Sequence, residues 1–409
     1  MKPYIFAIGL LATNTAVCAR PPFPAARINA INLQKRHEHD KYHCVRGKED
    51  DDHKEKLVKT NHTPTTRYYE FNVTQMPGAP DGYQRTMLVV NGQYPGPLIE
   101  CNSGDRLVVK VNNQLDQRTA IHWHGIWQNG TNWMDGATGV TQCAIPSGGS
   151  FTYNFTVPYQ HGTFWWHSHV TGQYADGILG PLILHDPNEG LADEYDEDVN
   201  PALDPNVRAV IHYAGAPNAD PTTLNTNLVD PATCNDLDQS KLVPRVALNA
   251  PDYDINYYIE ARLSASPQPT LAYMNNTSWK PLRDNDAFVV TPPNNASIIQ
   301  VILRNFDTGT HPFHLHGHTF WVLGYGDGDF NSSKHYLQRT NPLRRDTLTI
   351  PAGGWSVIRF MATPGLWMFH CHIVWHMEAG LVMQFRLLPE VVKKYNIPED
   401  VKALCPKSQ

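Results

Sequence analysis

The sequence predicts an all-β protein built from β-sandwich domains. In two blocks, one from about residue 68 and one from about residue 265, the chain runs in short stretches that alternate apolar and polar side chains, the period-two pattern of strands with one buried face. Clusters of Gly, Pro and Asn separate these stretches, and 32 prolines and 28 glycines in 409 residues supply many tight turns. Few helices are expected, and residues 373–378 and 389–404 are the best candidates.

The N-terminus reads as a secretory signal over residues 1–19: Lys2, an apolar run from Ile5 to Leu11, and Val17-Cys18-Ala19 as a small-residue cleavage site. The run is too short to span a bilayer, and no later stretch is long enough. Residues 20–65 form a leader whose segment 34–60 is charged and poor in core-forming residues, the composition of a disordered tail. Lys35-Arg36 is a candidate processing site there. A first β block, 66–189, carries strands at 69–73, 86–90, 106–111, 151–157 and 179–184. A second, 265–409, carries strands near 298–303, 320–323, 346–350, 356–361 and 381–388. The 75 or so residues between them, 190–264, are rich in Asp, Asn and Pro, with one convincing strand at 208–213.

Chemistry concentrates in four segments: His122-Trp-His124, His167-Ser-His169, His311-Pro-Phe-His314-Leu-His316 and His370-Cys371-His372-Ile-Val-Trp-His376. Each contains an H-x-H triplet, and two fall in each β block. Imidazole and thiolate together are a ligand set that copper favours. On a strand, side chains i and i+2 share a face and i+1 takes the other. Cys371 should therefore serve one metal centre, and His370 with His372 a second centre behind the strand. Structural zinc sites do not use strand-borne repeats of this number. A net charge of −6 and 18% charged residues favour no nucleic-acid partner.

Eight N-x-S/T sequons, at Asn61, Asn72, Asn129, Asn154, Asn275, Asn276, Asn295 and Asn331, fit a secreted glycoprotein. Of the seven cysteines, Cys18 leaves with the signal and Cys371 belongs to the metal. Cys44, Cys101, Cys143, Cys234 and Cys405 remain, so at most two disulfides form; Cys44, in the leader, is the simplest one to leave unpaired.

The four segments, in this order, resemble the copper-binding signatures of the multicopper oxidases, most closely fungal laccases. The runs Asn91-Gly-Gln-Tyr-Pro-Gly-Pro, Gly139-Val-Thr-Gln-Cys143-Ala-Ile-Pro and Tyr325-Gly-Asp-Gly-Asp-Phe-Asn strengthen the likeness, which covers residues 68–188 and about 205–390. It implies cupredoxin-like Greek-key β-sandwich domains, two complete and one residual, and four copper ions. His311, Cys371 and His376 would hold a type 1 copper, with Leu381 at the non-coordinating axial position of a high-potential site. His122 and His314 would hold the type 2 copper, and His124, His167, His169, His316, His370 and His372 the type 3 pair. Phenols or aromatic amines, or ferrous iron in a metallo-oxidase, would give electrons singly at the type 1 site, and O2 would take four at the cluster.

The likeness further implies that Asp135, in Trp133-Met-Asp135-Gly, handles protons at the cluster and that Cys143 bridges to Cys405. Cys101 with Cys234 is then the residual pairing. Glu378 is a weaker proton-relay candidate, expected to face solvent. His161, His185, His212 and His318 have no metal position open to them, and Trp165 and Trp166 are expected to pack as core aromatics around the cluster.

In one respect the chain departs from the family, whose middle domain is as large as the other two. Residues 190–264 are a remnant, with residues 208–221 resembling the end of that domain. Even so, about 75 residues at ~3.3 Å each reach far beyond what two packed domains need. The expected losses are one wall of the substrate cleft and a cover over apolar surface, which invites self-association.

Overall fold

Burial follows the alternation. In Arg106–Asn113, Leu107, Val109, Val111 and Asn113 are buried while Arg106 and Lys110 reach solvent. In Ser150–Thr156 the buried set is Phe151, Tyr153 and Phe155. The computed structural model describes residues 63–80, 84–186, 242–244, 246–264, 271–280 and 288–405. All of these except Gly78–Arg85 belong to one compact unit. The predicted signal, most of the leader, Lys35-Arg36, the strand at 208–213, His212, Cys44 and Cys234 lie outside the described residues.

The amino-terminal sandwich uses β1 (Thr66–Gly78), β2 (Arg85–Val90), β3 (Ile99–Asn102), β4 (Arg106–Asn113), β5 (Ile121–His124), β6 (Ser150–Thr156), β7 (Gly162–Ser168) and β8 (Leu179–His185). One sheet runs β2-β1-β4-β6 and the other β3-β8-β7-β5. Phe71, Leu107, Val109, Trp123, Tyr153, Phe155 and Trp166 fill the space between them, each large apolar side chain contributing ~1.5–3 kcal/mol by leaving water.

The carboxyl-terminal sandwich uses β9 (Ile255–Leu263), β10 (Ala272–Met274), β11 (Val289–Val290), β12 (Ile298–Asn305), β13 (His311–Leu315), β14 (Phe320–Asp327), β15 (Arg344–Arg345), β16 (Thr347–Ile350), β17 (Gly354–Met361), β18 (Gly365–Cys371) and β19 (Val382–Leu387). Its sheets run β10-β9-β12-β17-β14-β15 and β11-β19-β18-β13-β16. Phe313, Phe320, Phe360, Trp367, Phe369 and Phe385 dominate the core. Three short helices, α1 (Val374–Glu378), α2 (Pro389–Val392) and α3 (Glu399–Ala403), lie in the same stretch of chain. No helix among the described residues is long and apolar enough to cross a membrane.

Two expectations change. β9 lies within the stretch read as a middle-domain remnant, yet it pairs in parallel with β12, Tyr257 against Val301, so this sandwich begins before residue 265. Its sequence, INYYIEARL, hides the role because only Ile259 and Ala261 are fully buried. The single helix expected over 389–404 is two: α2 ends at Val392, and Pro398, which cannot sit inside a helix, stands immediately before α3.

The sandwiches meet directly. Ala137, from the amino-terminal half, packs with Trp279, Met368, Val374, Met377 and Val382 in a small apolar cluster between them. Asn132 donates to the carbonyl of Leu366 (3.0 Å) and accepts from its amide (3.2 Å). The Tyr174 hydroxyl donates to the His372 carbonyl at 2.9 Å. The chain's end also returns: Val401 and Leu404 pack on the amino-terminal core, and Cys405 is bonded to Cys143, as the family likeness implied. Cys101 carries a free buried thiol, and the partner expected for it, Cys234, lies outside the described residues. On β3 it faces the core as an apolar residue would, and burial pushes its thiol up to about 12.

Candidate metal centres

Each sandwich offers its cluster ligands on, or one residue beyond, two neighbouring antiparallel strands, and His376 comes from α1. In the first, β5 and β7 pair with His122 opposite His167. In the second, β13 and β18 pair with His314 opposite His370 and Phe313 opposite Cys371. The i, i+2 rule then works as expected. His370 and His372 face the other sandwich, and Cys371 turns the opposite way toward His311 and His376.

Eight buried or nearly buried imidazoles crowd between the sandwiches. His124, His167 and His372 have ring centroids 4.9–5.7 Å apart. His169, His316 and His370 form a second trio at 4.9–5.3 Å. His122 and His314 stand 5.8 Å apart, His122 lying 4.0 Å from His316 and His314 stacked on His124 at 3.9 Å. Burial holds His124, His167, His169, His314, His316 and His370 well below the ordinary 6.5, and neighbouring imidazoles push the same way. His372 is held down at about 4, again mainly by burial. These rings are neutral at pH 7, the form that binds metal.

Their hydrogen bonds say which nitrogen is free. His122, His167, His314 and His370 use Nδ1 on the carbonyls of Asp135, Ser168, Asp346 and Cys371 at 2.7–2.9 Å. The opposite atom, Nε2, is buried without a partner in His122, His167, His169, His314 and His372. In His316 and His370 the two Nε2 atoms face one another at 3.0 Å. His124 is reversed, with Nδ1 as its buried orphan. Buried nitrogens without partners are costly, and here they converge on one place. A metal cluster relieves that cost, so these residues fit copper.

Asp135 is fully buried at the edge of this group. Its Oδ2 accepts from His316 Nδ1 at 2.8 Å and its carbonyl from His122, so one residue steers a ligand of each sandwich. Oδ1 has no hydrogen-bond partner and lies 3.3 Å from His122 Nδ1. Gly136 makes the position possible: its φ is +86°, and a Cβ there would collide with the Ile121 carbonyl.

The thiolate site is smaller. Cys371 Sγ is 3.6 Å from His311 Nδ1 and 3.7 Å from His376 Nδ1, and those nitrogens are 3.0 Å apart. Burial pushes the Cys371 thiol up to about 12, so metal must displace its proton. Leu381 is fully buried in the same core, and its carbonyl accepts the Cys371 amide at 3.1 Å.

His318 stays outside both centres, donating from Nδ1 to the His316 carbonyl and accepting the Thr363 amide at Nε2. His161 lies near Asp186 and His185 near Glu100 at the surface. Trp166 is a core residue, while Trp165 lies 4.1 Å from the His167 ring on the cluster side. Glu378 is partly buried rather than solvent-facing, and burial raises its carboxyl. Sequence reasoning overlooked three neighbours. Asp307 Oδ2 accepts from His311 Nε2 at 3.0 Å, and Asp346 and Thr347 flank His124 and His314. Only the Asp307-x-Gly turn four residues before His311 hinted at the first; no local pattern marks the other two.

Two β-sandwiches that share a buried imidazole cluster, with a thiolate–imidazole site behind one ligand strand, define a copper protein. Family profiles described as multicopper oxidase match residues 72–189 and 258–391. Laccase-1 of Cryptococcus neoformans is 29% identical over 84% of this chain and 83% of its own. The iron transport multicopper oxidase fetC of Epichloe festucae is 31% identical over 82% and 79%. The crystal structure of a laccase from Botrytis aclada superimposes with a TM-score of 0.68 at 24% identity, over 84% of this chain and 91% of that one. This chain belongs to the multicopper oxidase family. The cryptococcal alignment runs over 525 residues, longer than this 409-residue chain, so the relative carries a long stretch that has no counterpart here.

Proposed function

We propose that the chain is a secreted laccase-like oxidase, coupling one-electron oxidation of phenols or aromatic amines to four-electron reduction of O2 to water. The carrying observation is the covalent link of the two centres through His370-Cys371-His372. Four bound copper ions would supply the redox chemistry: one at His311, Cys371 and His376, one at His122 and His314, and two among His124, His167, His169, His316, His370 and His372. The chain supplies the rest. His376 is the more exposed ligand of the thiolate site, and Trp375 beside it is 66% exposed, a flat apolar surface suited to an aromatic ring. From Cys371 the backbone leads directly to two cluster ligands, and the His370 Nδ1–H bond to the Cys371 carbonyl shortens one route. Asp135 holds His316 and is the acid placed to move protons at the cluster.

A second reading, oxidation of ferrous iron, is favoured by Asp307 on the outer side of His311. That carboxylate is already engaged by His311 and the Gly309 amide and is 22% exposed, poor provision for a hard cation that needs several oxygen ligands. Residues 66–189 and the sandwich ending at 409 are read as two complete domains, and the chain between them as what remains of a third.

The test is copper content, absorption spectrum and comparative turnover on the secreted protein. Four coppers per chain, the intense blue thiolate band and faster turnover of a phenol than of ferrous iron are expected. Iron preferred decisively would move the assignment to a ferroxidase, and fewer than four coppers would mark a binding chain without the full reaction.

A further inference from the structure

The imidazoles aimed at the trinuclear position present Nε2, with His124 the exception. Reversing one ring requires a partner for its Nε2–H, and among the described residues the amino-terminal sandwich supplies none. The partner comes from the other side. His124 Nε2 lies 3.5 Å from Asp346 Oδ1 and 3.4 Å from Thr347 Oγ1, 223 residues away along the chain. Thr347 Oγ1 donates to Asp346 Oδ1 at 2.9 Å, which keeps the carboxylate turned toward that ring. The Asp346 carbonyl meanwhile accepts from His314 Nδ1 at 2.9 Å. His124 and His314, one from each sandwich, are stacked at 3.9 Å with their planes 17° apart. One residue thus touches both rings of the stack, with its side chain on the first and its backbone on the second. Gly125, at φ +89°, leaves the space the carboxylate uses, since a Cβ there would lie 3.0 Å from Asp346 Oδ2.

We propose that Asp346 is a positioning residue that selects the ring nitrogen through which His124 binds metal, and so ties the seating of an amino-terminal ligand to the carboxyl-terminal sandwich. A carboxylate facing Nε2 favours the ring with its proton there, and that proton placement leaves the Nδ1 lone pair free to coordinate. Thr347 holds the carboxylate in register. The arrangement mirrors Asp135, which reaches from the amino-terminal sandwich to His316. Ligand orientation is exchanged across the interface in both directions, so the cluster is correctly set only when the halves are docked.

This rests on the reading of the eight imidazoles as a trinuclear copper site, and the test separates the two. The copper-loaded full chain and its Asp346→Ala, Asp346→Asn and Thr347→Val variants would be dialysed against graded chelator. Copper per chain, the spin-resonance signal of the cluster and the blue thiolate band would then be measured. The blue band is the internal control, because Asp346 belongs to the same sandwich as His311, Cys371 and His376. Asp346→Ala should keep that band and lose cluster copper at ~10–100-fold lower chelator concentration, the usual effect of removing a ligand's outer partner. Asp346→Asn, which still offers an oxygen to Nε2–H, should recover most of the loss. Thr347→Val should fall between them. Wild-type retention of cluster copper in Asp346→Ala, even with lowered thermal stability, would overturn the proposal and leave the trinuclear reading intact. A wild-type chain that binds copper only at the thiolate site would overturn both.

Discussion

Asp135 and His316 are 181 residues apart in the chain and 2.8 Å apart in space, a fully buried carboxylate of one sandwich accepting the Nδ1–H of an imidazole of the other. This contact joins docking to metal geometry. It holds the ring so that Nε2 points at the cluster. Asp135→Ala is expected to weaken cluster copper by about 10–100-fold. Asp135→Asn, which still accepts from His316, should keep copper but reduce O2 about 10²-fold more slowly or worse, because it cannot carry a proton. Copper analysis beside oxygen-consumption kinetics separates the two effects; equal loss of both in Asp135→Asn would argue against a proton role.

Cys371→Ser should remove the blue band and one copper per chain while leaving the cluster's spin-resonance signal in place, since Cys371 faces away from His370 and His372. Phenol oxidation should fall to background. Persistence of the band would place the thiolate site elsewhere.

At Leu381, methionine conserves volume, so Leu381→Met should cost less than about 1.5 kcal/mol. A thioether beside Cys371 adds a weak axial ligand, and the potential of the thiolate site should drop. Redox titration of the blue band checks this; an unchanged or raised potential would show that Leu381 is not axial.

The copper-free protein should be acid-labile. Burial holds His318 at about 4 against an ordinary 6.5. Between those values the unfolded chain binds a proton that the folded chain refuses, so stability is complete above pH 6.5 and declines as pH falls toward 4. His318 alone accounts for about 3 kcal/mol, and the cluster imidazoles, depressed in the same direction, add to it. Thermal melts from pH 7 downward should show a falling Tm, less steep in His318→Gln. A flat profile would contradict the burial of these rings in the neutral form.

Loss of the Cys143–Cys405 bond, by reduction or Cys405→Ser, should cost roughly 2–5 kcal/mol in urea denaturation. The bond closes a sequence separation of 262 residues and pins Val401 and Leu404 onto the amino-terminal core. Tolerance of its loss without any change in midpoint would mean that the interface alone holds the halves together.

Much of this protein is legible from its residues. Alternation at two-residue spacing dictates the strands, because a strand with one buried face repeats at that interval. The same spacing in His370-Cys371-His372 dictates that thiolate and imidazoles serve opposite sides, as they do. All ten histidines and the cysteine of the four segments lie at the two centres. What short-range pattern does not carry is partnership at a distance. The role of β9, with two fully buried residues in nine, emerges only on pairing with β12. The helix candidate over 389–404 is likewise two short helices, α2 ending at Val392 and α3 beginning after Pro398. Asp346 and Thr347 look like an ordinary turn-to-strand junction until packing sets them against His124, and nothing near Asp135 foretells His316. Ligand type and face are local properties of the chain. Which nitrogen each ring presents, and whether the two half-sets meet, depend on contacts between residues about two hundred positions apart, which only the folded interface decides.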